Sequence, residues 1–159
     1  NYCNEYEYKL LIAGTRESQY LIEKEIKFYE KLLGTSVGWE FKPKLSSSSN
    51  YLLSDQSDIT VNIESCLGYE AFARGNKVAF FSCRGNHLKI DNYDFKLHNS
   101  VYGNEGHFWT SVYNEKKFKS ILDKLRTISE IEWADHLKEF RKNFFSYDPD
   151  NKITNNYIN

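Results

Sequence analysis

The sequence predicts an α/β fold in which helices cover both faces of a doubly wound parallel sheet. Short apolar runs alternate along the chain with longer segments whose apolar residues recur at helical spacing. Gly34 and Gly75 stand directly after two of these longer segments, where glycine commonly ends a helix. The 159 residues suffice for one substantial core but not for two full lobes, so we expect a single domain over 1–159.

Four short apolar runs are predicted as strands, and the proline at position 43 ends the second because it cannot donate to a ladder. The predicted strands cover residues 8–13, 37–41, 58–63 and 77–82. Five segments have helical periodicity, and a run of serines at 46–49 forms the loop before one of them. The predicted helices cover residues 17–33, 50–56, 66–74, 114–126 and 130–143. A polar loop is expected from 84 to about 107.

The first long helix, over 17–33, is expected to bury one apolar stripe and to turn its charged residues to water. The residues predicted to form this buried stripe are Tyr20, Leu21, Ile26, Phe28, Tyr29, Leu32 and Leu33. In the last helix, Trp133 and Phe140 are expected to pack back onto the sheet or onto a missing lobe.

Composition excludes several classes of function. Lysine and arginine number 21 against 22 aspartates and glutamates. The net charge of −1 argues against a nucleic-acid surface built on bulk positive charge and against a polybasic membrane tether, while local basic clusters stay open. No apolar stretch approaches the roughly 20 residues of a transmembrane helix. Cys3, Cys66 and Cys83 form neither a disulfide framework nor a zinc motif, so we expect a cytoplasmic setting, including the cytoplasmic face of a membrane. The chain lacks methionine, and we expect it to be part of a longer protein.

The segment 58–82 has the pattern strand, tight turn, helix, strand. Its turn, Ser65-Cys66-Leu67-Gly68, places backbone N–H groups at a helix N-terminus, where the helix dipole favours an anion such as phosphate. Ser65 fits both the N-cap position and a phosphate contact. Glu70 follows close behind and can accept hydrogen bonds from ribose hydroxyls. The alternative is that Glu70 only complements the helix dipole.

The run Ser65-Cys-Leu-Gly-Tyr-Glu70-Ala-Phe-Ala-Arg-Gly75 resembles the donor-binding motif in the C-terminal lobe of GT-B-fold glycosyltransferases. The likeness is to enzymes of bacterial surface-carbohydrate and capsule-polysaccharide biosynthesis, whose pattern is roughly Ser-Thr-Leu-Gly-Tyr-Glu-Ala-x-Ala-x-Gly-x-Lys-Val. Cys66 stands where that pattern has threonine, which removes a hydroxyl but keeps the backbone donors. A weaker likeness extends from Leu10 to the helices around Trp133.

This resemblance implies a Rossmann-like lobe that binds a nucleotide-sugar donor. It implies that Glu70 contacts the ribose and that the turn formed by Ser65, Cys66, Leu67 and Gly68 holds the phosphate. The sugar is then transferred by displacement at the anomeric carbon, with the nucleotide as the leaving group. An N-terminal lobe or partner chain supplies the acceptor, so the donor-binding half is expected to be inactive alone.

Cations placed after the first two strands would neutralise the phosphates of such a donor. Arg16 follows the first predicted strand, and Lys42 and Lys44 follow the second, at the carboxyl edge of the sheet. For each of them an ordinary solvated surface charge is the alternative. The Lys-Pro-Lys run resembles a Lys-Pro-His turn of sialyl- and Kdo-type transferases, with lysine in place of histidine; this likeness makes a CMP-linked donor conceivable and leaves UDP- and GDP-linked donors open.

The segment Gly106-His107-Phe108-Trp109 returns the chain to the sheet, so His107 is expected to border the donor pocket, with Trp109 in the core. The spacing of His87, His98 and His107 matches no zinc motif. The Asp-Pro-Asp at 148–150 is interpreted as a helix-terminating turn rather than a metal site. We therefore expect neither a metal nor a cofactor besides the donor.

The sequence thus favours the nucleotide-sugar-binding domain of a glycosyltransferase that builds surface polysaccharide. A tail over about 144–159 is expected to be mobile or to pack on the missing lobe. Two alternatives stay open. One is a GT-B-fold nucleotide-sugar epimerase, and the other is a non-catalytic module that binds a nucleotide or a partner protein.

Overall fold

The computed structural model describes residues 2–34, 38–89 and 105–144 and has a mixed α/β architecture with parallel strands. The chain divides into two units, Asn1–Gln56 and Ser57–Asn159. Each unit has its own small sheet, with two strands in the first and three in the second. The α/β class and the parallel strands predicted from the sequence are therefore confirmed.

The first unit is built around a strand, helix, strand sequence. Its elements are α1 (Tyr2–Glu5), β1 (Leu10–Ala13), α2 (Gln19–Leu33), β2 (Trp39–Lys42) and α3 (Ser49–Asp55). β1 and β2 pair in parallel, with Leu10 opposite Trp39 and Ala13 opposite Lys42. Parallel neighbours need a crossover connection, and α2 supplies it, as the alternating sequence pattern predicts.

The second unit repeats this arrangement and adds a third strand. Its elements are β3 (Thr60–Asn62), α4 (Cys66–Arg74), β4 (Val78–Phe81), α5 (Arg84–Leu88), β5 (Trp109–Thr110), α6 (Glu115–Thr127) and α7 (Glu130–Phe144). The strands run parallel in the order β3-β4-β5. In register, Asn62 lies opposite Phe80, and Phe80 lies opposite Trp109.

An aromatic core holds the second unit together. Phe72 of α4 is 1% exposed, and its ring lies 5.8 Å from Phe80 of the sheet and 5.6 Å from Trp133 of α7. The next residue of β4, Phe81, points to the opposite face and stacks on Phe118 of α6 at 4.4 Å. α4 therefore packs on one face of β4 and α6 on the other, and the predicted packing of Trp133 on the core is confirmed.

The predicted buried stripe of α2 is wrong for four of its residues. Tyr20 is 63% exposed, Phe28 60% and Leu32 65%, and Leu21 is also exposed. The apolar residues of α2 occupy two opposite arcs of the helix, and a two-stranded sheet has room to cover only one of them. Ile26, Tyr29 and Leu33, which belong to the other arc, are half-buried.

Two short helices of the structure, α1 and α5, were not predicted from the sequence. Both α1 and α5 have at most five residues, too few to establish a helical repeat, and α5 lies where a polar loop is predicted. The remainder of that loop, residues 90–104, and the tail beyond 144 lie outside the described residues, as do His98 and the Asp-Pro-Asp run. None of the described helices combines the length and apolar character needed to cross a bilayer.

Candidate functional site

The candidate site is the carboxyl edge of the β3-β4-β5 sheet. Because the three strands are parallel, the turns that follow them lie at one edge. The Ser82 hydroxyl, just after β4, donates to the carbonyl of Ile63, just after β3, at 3.1 Å. The Cys83 thiol donates to the Thr110 carbonyl of β5 at 3.6 Å. These bonds connect the ends of all three strands and give the edge a fixed frame.

α4 begins at this edge with an N-cap of the predicted kind. Ser65 has an extended backbone, and its Oγ accepts a hydrogen bond from the Leu67 N–H at 3.2 Å. The Ser65 N–H in turn donates to Oδ1 of Asn62 at 3.1 Å. Among the described residues, the Cys66 N–H has no acceptor. First-turn amides of a helix ordinarily lack a backbone acceptor, and Cys66 is exposed, so the positive end of α4 is open to water or to an anion.

Gly68 allows α4 to lie directly on β3. A Cβ at this position would come within 2.1 Å of Cγ of Asn62 and 2.5 Å of its Nδ2. Asn62 is only 4% exposed, and within the described part of the chain its Nδ2 has no hydrogen-bond partner. The glycine of the turn therefore has a packing role, and Asn62, which the sequence analysis missed, holds the N-cap residue in place.

Glu70 and Cys66 share one exposed face of α4. They are four residues apart, about 6 Å along the helix axis, and both are exposed. Side chains on a helix lean towards its N-terminus, so the Glu70 carboxylate extends towards the edge where α4 begins. This geometry is compatible with both interpretations of Glu70, as a ribose contact and as a dipole partner.

Arg84 adds a cation to this edge that the sequence analysis did not select. It begins α5 two residues after the buried Ser82, is exposed, and pairs with the carboxylate of Glu64 at 3.6 Å. The detectable signal was the same as for Arg16, a basic residue just after a strand. Arg84 falls at the start of the predicted polar loop, where no helix or strand was assigned, so the sequence analysis did not place it at a strand end.

His107 lies at the opposite edge of the sheet from the start of α4. It precedes β5, whereas the Ser65 turn follows β3, and the two strands run in the same direction. The His107 Nδ1 is 2.9 Å from the Lys124 ammonium, which donates to it. Burial, and then the charge of Lys124, lower the pKa of His107, so its neutral form is favoured. Trp109 is in the core, as expected.

The three cations predicted for the site lie in the first unit, beside its own strands. Arg16 is exposed in the loop between β1 and α2. Lys42 ends β2 and pairs with Glu40, and Lys44 pairs with Glu17 at 2.6 Å. Hydrogen bonds from Lys42 and Lys9 lower the pKa of Glu40 to about 2. Both predicted lysines therefore neutralise carboxylates of their own unit, and their contact with a donor stays a prediction.

No cluster of three or more metal-ligating side chains forms among the described residues. Comparison with curated proteins gives no match, and neither does comparison with solved structures. A family model does match, over residues 1–159, and its description is "putative O-antigen biosynthesis protein". Since the match covers the whole chain, the protein belongs to this family, whose description names the biosynthesis of O-antigen, a surface carbohydrate.

Proposed function

We propose that this chain is the nucleotide-sugar-binding part of a glycosyltransferase of O-antigen biosynthesis, with the Rossmann-like lobe of a GT-B fold. The donor's phosphate would lie at the N-terminus of α4, against the amides of Cys66 and its neighbours. The observation that carries the proposal is this helix start at the carboxyl edge of a parallel sheet, with one amide left without an acceptor among the described residues.

The surroundings of the helix start support a phosphate rather than a neutral ligand. The α4 dipole places partial positive charge there, and the Arg84 guanidinium, which pairs with the Glu64 carboxylate, lies at the same edge, where it can turn to a bound phosphate. In a transfer reaction, the same groups would stabilise the negative charge that develops on the departing nucleotide. Glu70, on the exposed face of α4, is placed to accept hydrogen bonds from the ribose.

Isothermal titration of the purified chain with CMP, UDP, GDP and ADP, with and without magnesium, tests the proposal. We expect one nucleotide to bind, and a ligand at about 100 times its dissociation constant to stabilise the fold by roughly 2.7 kcal/mol. A thermal-unfolding measurement with each nucleotide accompanies the titration. If none of the four nucleotides gave binding heat or raised the melting temperature, donor binding by this chain would be contradicted.

Two substitutions separate specific binding from a general loss of charge. Glu70→Gln should lower the affinity for the nucleotide about tenfold, because a charge-assisted hydrogen bond is lost. Its matched control is Glu115→Gln, an exposed glutamate in the first turn of α6, which should leave the affinity unchanged. Arg84→Gln should lower the affinity for nucleotides more than the affinity for the corresponding nucleosides, which lack the phosphate. Equal losses would show that Arg84 does not contact the phosphate. Lys116→Gln is its exposed control.

A further inference from the structure

The outward side of α2 is an exposed apolar surface. It consists of the six residues Tyr20, Leu21, Lys24, Phe28, Lys31 and Leu32, which fall on one arc when the helix advances about 100° per residue. Four of them are large apolar side chains, and three of these four are at least 60% exposed. We call this surface the outer face of α2.

The outer face is not needed to cover the sheet of the first unit. The opposite arc of α2 carries Ile22, Ile26, Tyr29 and Leu33, which are half-buried. The Tyr29 ring lies 6.4 Å from Phe41 of β2, so this arc faces the sheet. A helix that covers its sheet with one arc would ordinarily turn polar residues outward. The apolar outer face of α2 departs from that pattern, and isolated exposed apolar residues do not account for a continuous stripe.

The lysines of α2 lie within or beside this stripe. Lys24 and Lys31 lie within the outer face, and Lys27 lies beside it. The Lys24 ammonium sits over the Tyr20 ring, 4.3 Å from its centroid. On the helical wheel, Glu23 and Glu30 fall on the far side of Lys27, away from the apolar stripe. Glu25 borders the stripe beside Leu32, and its carboxylate accepts hydrogen bonds from the Thr15 amide and hydroxyl of its own unit. The surface therefore combines large apolar side chains with local positive charge, although the whole chain carries a net charge of −1.

We propose that the outer face of α2 docks on an anionic lipid surface. An interfacial helix places its apolar side chains at the boundary of the acyl region, while adjacent lysines extend to the headgroups. The 15 residues of α2 give a contact about 22 Å long, lying in the plane of the membrane. Protein interfaces, in contrast, are depleted of lysine at their centres, which makes a lipid surface the better fit. This proposal does not depend on whether the chain binds a nucleotide sugar.

Co-sedimentation of the whole chain with vesicles tests the proposal. One set of vesicles contains equal amounts of phosphatidylcholine and phosphatidylglycerol, and the other contains phosphatidylcholine alone. We expect clear binding to the anionic vesicles, at least tenfold weaker binding to the neutral ones, and a loss of affinity as salt is raised. Equal affinity for the two kinds of vesicle, or no binding to either, would overturn the proposal.

Substitutions within the outer face locate the contact. Phe28→Ser with Leu32→Ser should lower the vesicle affinity at least tenfold, since two exposed apolar side chains are lost. Lys24→Gln with Lys31→Gln should lower it about fivefold per lysine. The control is Ile131→Ser on α7, which is 79% exposed and should change nothing.

Circular dichroism checks that each variant keeps its fold, and the exposed positions of the substitutions favour this. Loss of binding in the Ile131 control would indicate general adhesion and overturn the proposal. The proposal would also fail if the wild-type chain formed dimers that the Phe28 and Leu32 substitutions disrupt, without any vesicle binding, because the outer face would then be a contact between two copies.

Discussion

Replacing Gly68 with alanine tests the close contact between α4 and β3 on which the candidate site rests. The added Cβ would lie 2.1 Å from Cγ, 2.4 Å from Cβ and 2.5 Å from Nδ2 of Asn62. All three distances are far below van der Waals contact, and Asn62 is 4% exposed, so its side chain has little room to move aside. Either α4 moves off the strand, or Asn62 loses its hydrogen bond to the N–H of Ser65.

The expected free-energy change follows from three contributions. Overpacking at a buried contact costs about 1–3 kcal/mol. Losing the bond between Asn62 and Ser65 adds about 1–3 kcal/mol, because a buried amide is left unsatisfied. The higher helix propensity of alanine offsets up to about 1 kcal/mol of this loss. Gly68→Ala should therefore lower the free energy of unfolding by about 1–6 kcal/mol.

Urea unfolding of the wild type and three variants measures this change. Ser120→Ala, at an exposed position of α6, reports the effect of helix propensity without a clash and should stabilise by about 0.5 kcal/mol. Asn62→Gly removes the side chain that the new Cβ would meet, so combining it with Gly68→Ala should cost much less than the sum of the two single changes. Additive losses, or a Gly68→Ala variant as stable as the wild type, would refute the proposed contact.

Three further predictions concern other contacts of the second unit. Ser65→Ala should destabilise the chain by about 1 kcal/mol in chemical denaturation, since the N-cap of α4 is lost. Trp133→Phe keeps the aromatic packing but loses the indole donor to the Gly75 carbonyl, a bond of 2.8 Å, and should lower the free energy of unfolding by about 1–2 kcal/mol. The fold lowers the pKa of His107 below its ordinary value of 6.5, so the neutral imidazole stabilises the folded state. This contribution is complete above pH 6.5 and is lost as the pH falls through 6.5 towards the lower pKa of the folded state. The melting temperature of His107→Asn should therefore fall less than that of the wild type between pH 8 and pH 5, and identical profiles would contradict this assignment.

Several local features of the candidate site follow from the sequence alone. α4 has the predicted bounds, because Ser65 supplies the N-cap oxygen and Gly75 adopts the left-handed backbone, with φ of 114°, that ends the helix. Both signals depend on residues within a few positions of each other, so no distant contact is needed to detect them. The proximity of Asn62 to Gly68 could not be predicted, because it depends on how closely the helix approaches the strand.

The predicted position of His107 at the edge that carries the Ser65 turn is wrong, because the sequence does not show at which edge of the sheet a loop lies. The sequence pattern groups it with Ser65 because the chain returns to the sheet nearby, yet it lies before β5 and hence at the amino edge. The direction of a two-residue strand decides this, and so short an apolar run has no periodicity that indicates its direction. Arg84 was missed for a related reason, since the five-residue α5 gives no helical repeat.

By itself, the sequence determined the alternation of strands and helices, the parallel pairing and the capped start of α4, because apolar periodicity and capping are local properties. The tertiary structure decided which apolar residues are buried and which edge each loop occupies. Phe72 is buried because α7 and the sheet both pack on it, whereas Phe28, equally apolar, remains 60% exposed because the small sheet of its unit covers only the other arc of α2. Burial depends on the partners that the fold brings to a side chain, and no single segment of sequence contains that information.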